Sequence, residues 1–242
     1  MKRLNLSGCK FITKLPALCT PNLETLDLSD CENLVKIHES GEFLHKLKMW
    51  NLNFCKKLQN LPNNLMLTSL EVLEELTLLG CKNLRDLPDG IYKLQQLQVL
   101  DIPTAKLRPT CNSFDSSSGY GFLKMTSLEL RNMKNTIELD LLMKPDFFPA
   151  LEWISLSGTN IITIPESISR FPRLKALLIG NCEHLREIQG LPLSINGVYA
   201  QNCPLLDYES PSGLLNQVSL FLLSYKETIF VTFSKCFTRF AR

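Results

Sequence analysis

One spacing governs this chain. Leu23-x-x-Leu26-x-Leu28-x-x-Cys31-x-x-Leu34-x-x-Ile37 superimposes on Leu47-x-x-Trp50-x-Leu52-x-x-Cys55-x-x-Leu58-x-x-Leu61-Pro62. It fits again on Leu73, Leu76, Leu78, Cys81, Leu84 and Leu87-Pro88, and on Leu174, Leu177, Ile179, Cys182, Leu185 and Ile188. Partial copies stand at Leu4, Leu6, Cys9, Ile12, Leu15 and at Ile195, Val198, Ala200, Cys203, Leu206. Three further copies place Ala105, Met133 or Thr159 where the others have Cys. The ninth position therefore recurs at 9, 31, 55, 81, 105, 133, 159, 182 and 203, at intervals of 21 to 28 residues. A period of that size is the mark of a repeat architecture and fits leucine-rich repeats.

The spacing dictates the backbone. In Leu-x-Leu the period of two turns both leucines to one side and their neighbours to the other, as a short strand requires. Every return path has the same length and direction, so successive strands pair in parallel. The Cys, Leu and Ile/Leu that follow turn inward from the other half of the coil. One coil cannot bury these residues alone, so coils stack. The predicted fold is an α/β solenoid: a leucine-rich-repeat horseshoe of about nine coils. Its concave face is a parallel β-sheet, and its convex side is mostly loop and short helix. The Leu15-Pro16, Leu61-Pro62, Leu87-Pro88, Ile164-Pro165 and Leu191-Pro192 steps end regular pairing, because proline has no N–H to donate. Pro165 to Phe171 is a candidate short helical turn.

The solenoid occupies 1–209 and a C-terminal segment 210–242. Asn112 to Gly121 is Ser/Gly-rich and reads as an exposed loop. The coil from Phe122 to Phe148 is the longest. Beyond Ser210 the pattern dissolves: Leu214 to Leu223 suits an amphipathic helix, and Ile229 to Phe240 a strand apolar on both faces. This segment either caps the stack or opens an incomplete post-repeat domain. The first coil carries no polar cap before it, so that core edge is expected to be wet. That expectation suggests a fragment or a truncated product.

Twenty-six Lys+Arg against 24 Asp+Glu make a net charge of +2, which argues against a nucleic-acid binder held by bulk charge. No apolar run reaches membrane-spanning length. The odd total of nine cysteines suits free thiols, six of them being the ninth position of the repeat. Cysteines one coil apart do not match a zinc site, and small buried side chains explain them. His184 lies two residues after Cys182, but that Cys occupies the core position, where buried apolar thiols are usually inert. His38 and His45 read as convex surface, and Lys56-Lys57 as a solvated face. Neither catalytic, metal nor cofactor residues emerge.

The outward strand positions carry more information, because they line the concave face. They are polar with spaced apolar residues. Trp153, Leu178 and Tyr199 lie on three neighbouring coils, where aromatics suit a binding hot spot. Arg131, Glu129 and Leu79 complete the candidate partner-binding surface.

Three stretches carry a resemblance. They are Leu4-Asn-Leu-Ser-Gly-Cys-Lys-Phe-Ile-Thr-Lys-Leu-Pro, Pro21-Asn-Leu-Glu-Thr-Leu-Asp-Leu-Ser-Asp-Cys-Glu-Asn-Leu and Leu156-Ser-Gly-Thr-Asn-Ile-Ile-Thr-Ile-Pro-Glu-Ser-Ile. They resemble the repeat region of plant TIR-type nucleotide-binding leucine-rich-repeat disease-resistance proteins. Leu191 to Leu206 is similar to the last repeat of that class. The resemblance covers 1–209 and implies a non-catalytic recognition module in the cytoplasm or nucleus. The partner it implies is a pathogen effector, a guarded host protein or a receptor's nucleotide-binding domain. Nucleic acid, membrane and small-molecule substrates are not implied, nor is a cofactor. The alternative is the substrate-recognition repeat of an F-box-type ubiquitin-ligase adaptor, which also places Cys at the ninth position but lacks the recurrent Leu-Pro step.

Overall fold

The computed structural model describes residues 1–38, 44–62, 67, 69–85, 87–101, 121–131, 145–207 and 230–232. The ninth positions Ala105 and Met133, the Ser/Gly stretch 112–120, the candidate helix 214–223, Cys111 and Cys236 lie outside them. The chain forms two compact units. One is Met1–Thr126 with Asp146–Phe148; the other is Ser127–Pro145 with Pro149–Arg242.

The first unit stacks five three-residue strands in parallel: β1 (Arg3–Asn5), β3 (Thr25–Asp27), β5 (Met49–Asn51), β6 (Glu75–Thr77) and β7 (Val99–Asp101). Leu4, Leu26, Trp50, Leu76 and Leu100 stand in one register row. From Leu26 onward that row is fully buried, as the Leu-x-Leu alternation demands. Leu4, Leu6, Cys9 and Ile12 are only half-buried. Trp50 takes a leucine's place at 0% exposure, and its indole Nε1 has no acceptor among the described residues. Phe122, Phe147 and Phe148 fill the layer of the longest coil, with ring centroids 4.9–5.5 Å apart.

The second unit repeats the plan with β8 (Ser127–Glu129), β9 (Trp153–Ser155), β11 (Ala176–Leu178) and β13 (Gly197–Tyr199). β14 (Phe230–Thr232) adds a further parallel strand, with Val231 opposite Val198. Of the strand expected over 229–240, these three residues are described.

Two features were not foreseen. First, the side away from the main sheet carries short parallel ladders. β2 (Lys14–Leu15) pairs with β4 (Lys36–Ile37), and β10 (Thr163–Ile164) with β12 (Glu187–Ile188). β2 and β10 stop at Pro16 and Pro165, as expected of a residue without an N–H. Short 3-10 helices add to the loops here, at Asp89–Lys93, Pro145–Phe147 and Glu166–Arg170. The first and last follow Pro88 and Pro165, whose fixed φ starts a helical turn cheaply.

Second, the residue before the ninth position is left-handed in coil after coil: Gly8, Asp30, Phe54, Gly80, Gly158, Asn181 and Asn202, with φ of 55–75°. The chain must turn sharply out of the strand there, and Gly, Asn and Asp tolerate that conformation best. Phe54 is the exception.

The ninth-position side chains explain the cysteines. Each thiol donates to the carbonyl of the preceding coil: Cys31 to Leu6 at 3.1 Å, Cys55 to Leu28 at 3.2 Å and Cys81 to Leu52 at 3.0 Å. Cys182 to Leu156 at 3.2 Å and Cys203 to Ile179 at 2.9 Å continue the series. A small apolar group with a weak donor fills the layer and adds a bond to the strand-end carbonyl; Leu6, Leu28 and Leu52 O each also accept the N–H of their own coil's ninth residue. Thr159, 1% exposed, uses its hydroxyl on Leu156 O at 2.6 Å.

Candidate functional site

Register on the second unit lays the outward residues in rows. Ser127, Trp153, Ala176 and Gly197 form one; Glu129, Ser155, Leu178 and Tyr199 form the next. Leu178 and Tyr199 are direct neighbours. Trp153 stands one row away, beside Ala176 rather than beside Leu178. It is 46% exposed, while Leu178, Tyr199, Glu129 and Arg131 are half-buried.

Gly197 seats the Tyr199 ring. A Cβ on Gly197 would lie 2.9 Å from Tyr199 Cε2 and 3.1 Å from its Oη. The ring therefore folds back along its own strand and lies over the glycine, in Trp153's row. Trp153 and Gly197 are two strand spacings apart, about 10 Å, with Ala176 between them. Ala176 and Ser155 are outward yet 3% and 4% exposed, because small side chains there sit below their bulky neighbours. The result is an aromatic ledge on a floor of small residues. Arg131 Nη2 reaches Glu129 Oε2 at 2.7 Å, and Lys175 Nζ reaches Glu152 Oε2 at 2.9 Å. The charges on this face thus pair internally.

Five of the six sequence-derived residues lie on the second unit, and Leu79 lies on the first. Its neighbour is Phe54, which sequence reasoning missed. The Phe54 N–H donates to the Leu79 carbonyl, and the 41% exposed ring rests on Gly80, where a Cβ would be 2.6 Å from Cδ1. The signal was available: a phenylalanine sits where all but one of the other coils have Gly, Asn or Asp. Asp101, at an outward position of its strand, is 8% exposed.

Chemistry is not assembled elsewhere among the described residues. Cys182 is fully buried while His184 is exposed, so they form no dyad. No group of three His, Cys, Asp or Glu is placed to hold a metal ion among the described residues. Burial pushes the Cys31 thiol up; the hydrogen-bonded Cys81 thiol, then burial, raises Cys55. Such thiols are protonated and poor nucleophiles. Lys2 hydrogen-bonds Glu24 and lowers its carboxyl, as Lys56 does for Glu32. His38, expected as solvated surface, is half-buried and bonded; His45 is exposed. No helix among the described residues is long and apolar enough to cross a membrane.

Known proteins resemble parts of this sequence. It is 32% identical over 67% of the chain to disease resistance protein RPP2A of Arabidopsis thaliana. It is 29% identical over 89% of the chain to RML1A of the same plant. The chain is similar to plant disease-resistance proteins. The TMV resistance protein N of Nicotiana glutinosa matches at 28% over 75% of the chain. The chain spans 12–21% of the length of these relatives. No protein-family model matches. Among solved structures, the internalin inlF of Listeria monocytogenes is similar at 15% identity and TM-score 0.41, covering 93% of this chain and 83% of that one. A Leptospira interrogans leucine-rich-repeat protein, LIC12759, is similar at 18% identity and TM-score 0.33, covering 87% and 72%.

Proposed function

We propose that this chain is the non-catalytic protein-recognition module of a plant intracellular immune receptor, sensing an effector or a guarded host protein. The aromatic ledge carries the reading. Trp153 and Tyr199 offer large, rigid contact area at low entropic cost, and the surrounding charges are already paired, so shape and apolar contact select the partner. Similarity to disease-resistance proteins supports an intracellular setting, which we take to be the cytoplasm or nucleus.

The test uses the 242-residue chain as bait in pathogen-challenged plant tissue. A specific partner should be captured by the parent and lost with Trp153→Ala, Leu178→Ala and Tyr199→Ala, while each variant melts within a few degrees of the parent. Unchanged capture by all three would remove the ledge from the mechanism. Exclusive recovery of ubiquitin-ligase core subunits would instead establish an adaptor.

A further inference from the structure

The first unit has a lateral surface that its template does not require. In each coil the residues at positions ten, eleven, thirteen and fourteen of the repeat project between inward positions nine, twelve and fifteen. Positions ten and eleven supply Lys10, Lys56, Lys57 and Lys82 from the first four coils; all are exposed. Positions thirteen and fourteen add Lys14, Lys36 and Arg85, also exposed. The backbone brings these positions into columns, since Val35 N–H donates to Thr13 O, Gln59 to Val35 and Arg85 to Gln59. Lys14 lies directly opposite Lys36 in the β2–β4 pair, an arrangement of like charges that weakens a ladder. Glu32 is the one carboxylate described within this track. It bonds Lys56 at 2.7 Å and feels Lys10 as well.

The second unit shows that basic residues are optional here. Its matching positions hold Glu183, His184, Arg186, Glu187 and Asp207, in the same columns: Arg186 N–H donates to Ile162 O and Asp207 to Arg186 O. Lysines on the first unit therefore do not follow from the repeat's packing. With a chain-wide charge of only +2, they concentrate one sign on one side.

We propose that this lateral face of coils one to four is a docking surface for an acidic polypeptide segment of a protein partner, separate from the aromatic ledge. The Glu32–Lys56 pair shows the geometry by which its lysines take carboxylates. A peptide can place an uncharged residue against Glu32, whereas a phosphate backbone would bring its charges past that carboxylate. Phe11, 99% exposed beside Lys10, gives the segment one apolar contact. A single phenylalanine is too little apolar area to hold the face in a lipid surface, and this track has no series of aromatics on which bases would stack.

The experiment titrates the whole chain with a synthetic glutamate-rich peptide carrying one leucine, at about 0.15 M salt, where long-range attraction between exposed charges is largely screened. The parent should bind, and more weakly as salt rises. Lys14→Glu/Lys36→Glu/Lys57→Glu should reduce affinity about tenfold or more. The control Lys46→Glu/Lys124→Glu/Arg173→Glu changes net charge equally and should cost less than about twofold. Equal losses in the two variants would overturn the proposal. So would tighter binding of a charge-matched oligothymidylate or of phosphatidylserine vesicles. If the reversal variant loses its circular-dichroism melt, the alanine triple at the same positions takes its place, with the same ordering of affinities required.

Discussion

Leu4 and Leu26 occupy the same template position and face each other in register, yet one lies at the open end of the stack and the other inside it. Comparing Leu4→Ala with Leu26→Ala isolates the contribution of an enclosing layer. Leu26 is 0% exposed, so truncation removes its full transfer energy and leaves a walled cavity, about 3–4 kcal/mol together. Leu4 is half-buried; it loses about half of the transfer energy and its void opens to water, about 1 kcal/mol. The two native tryptophans supply the assay. Trp50 is buried next to Leu26 in the register row, and Trp153 is exposed on the other unit. In a Trp153→Phe background, urea titration followed by Trp50 emission reports the first unit alone. Equal losses for the two variants, or a loss for Leu26→Ala below about 1.5 kcal/mol, would refute the layer-by-layer account.

Other outcomes follow from single contacts. Gly197→Ala should shift stability by less than about 1 kcal/mol, since reduced chain entropy offsets the displaced ring, yet it should impair partner capture as much as Tyr199→Ala; full capture would show that the ring's seat is irrelevant. Thr159→Val should cost about 1–2 kcal/mol in urea, because the bonded hydroxyl is fully buried. Cys31 and Cys55 have raised thiols, so their contribution is complete below the unfolded value of about 8.5 and is lost as pH rises above it. The melting advantage of the parent over Cys31→Ala/Cys55→Ala should therefore shrink between about pH 7.5 and 10; a constant difference would contradict it. Glu24 and Glu32 are lowered and exposed, so their small contribution should fade as pH drops below about 4.5, and Lys2→Ala/Lys56→Ala should flatten that acid limb of the melting curve.

How much of this was legible beforehand depends on the kind of constraint. The register of Leu26, Trp50 and Leu76 and the inward Cys positions follow from a period-two strand repeated every coil, so spacing alone revealed them. The left-handed column was equally written, in Gly8, Asp30, Gly80, Asn181 and Asn202, but those residues read as generic turn formers until backbone angles aligned them. Phe54 escaped for that reason. The β2–β4 and β10–β12 ladders stayed hidden because two-residue strands carry no periodicity. At the candidate site, outward alternation correctly exposed Trp153, but a sequence row cannot show a side chain folding along its strand. Tyr199 moving over Gly197, and Ala176 sinking between its neighbours, required coordinates.

The hydrogen bonds between coils reach across about one repeat: 22 residues from Ser7 to Ser29, 29 from Cys81 to Leu52. Divided by 242 residues, that separation corresponds to a relative contact order of about 0.1, in the range of helical bundles rather than β-sandwiches. A molecule built of strands should accordingly fold at the pace of a local structure, zipping outward from any formed pair of coils. β14 departs from this pattern, since Gly197 meets Phe230 across 33 residues. Closing that wider loop comes after the coil it docks on, so the C-terminal strand should be the last to join and the first to leave.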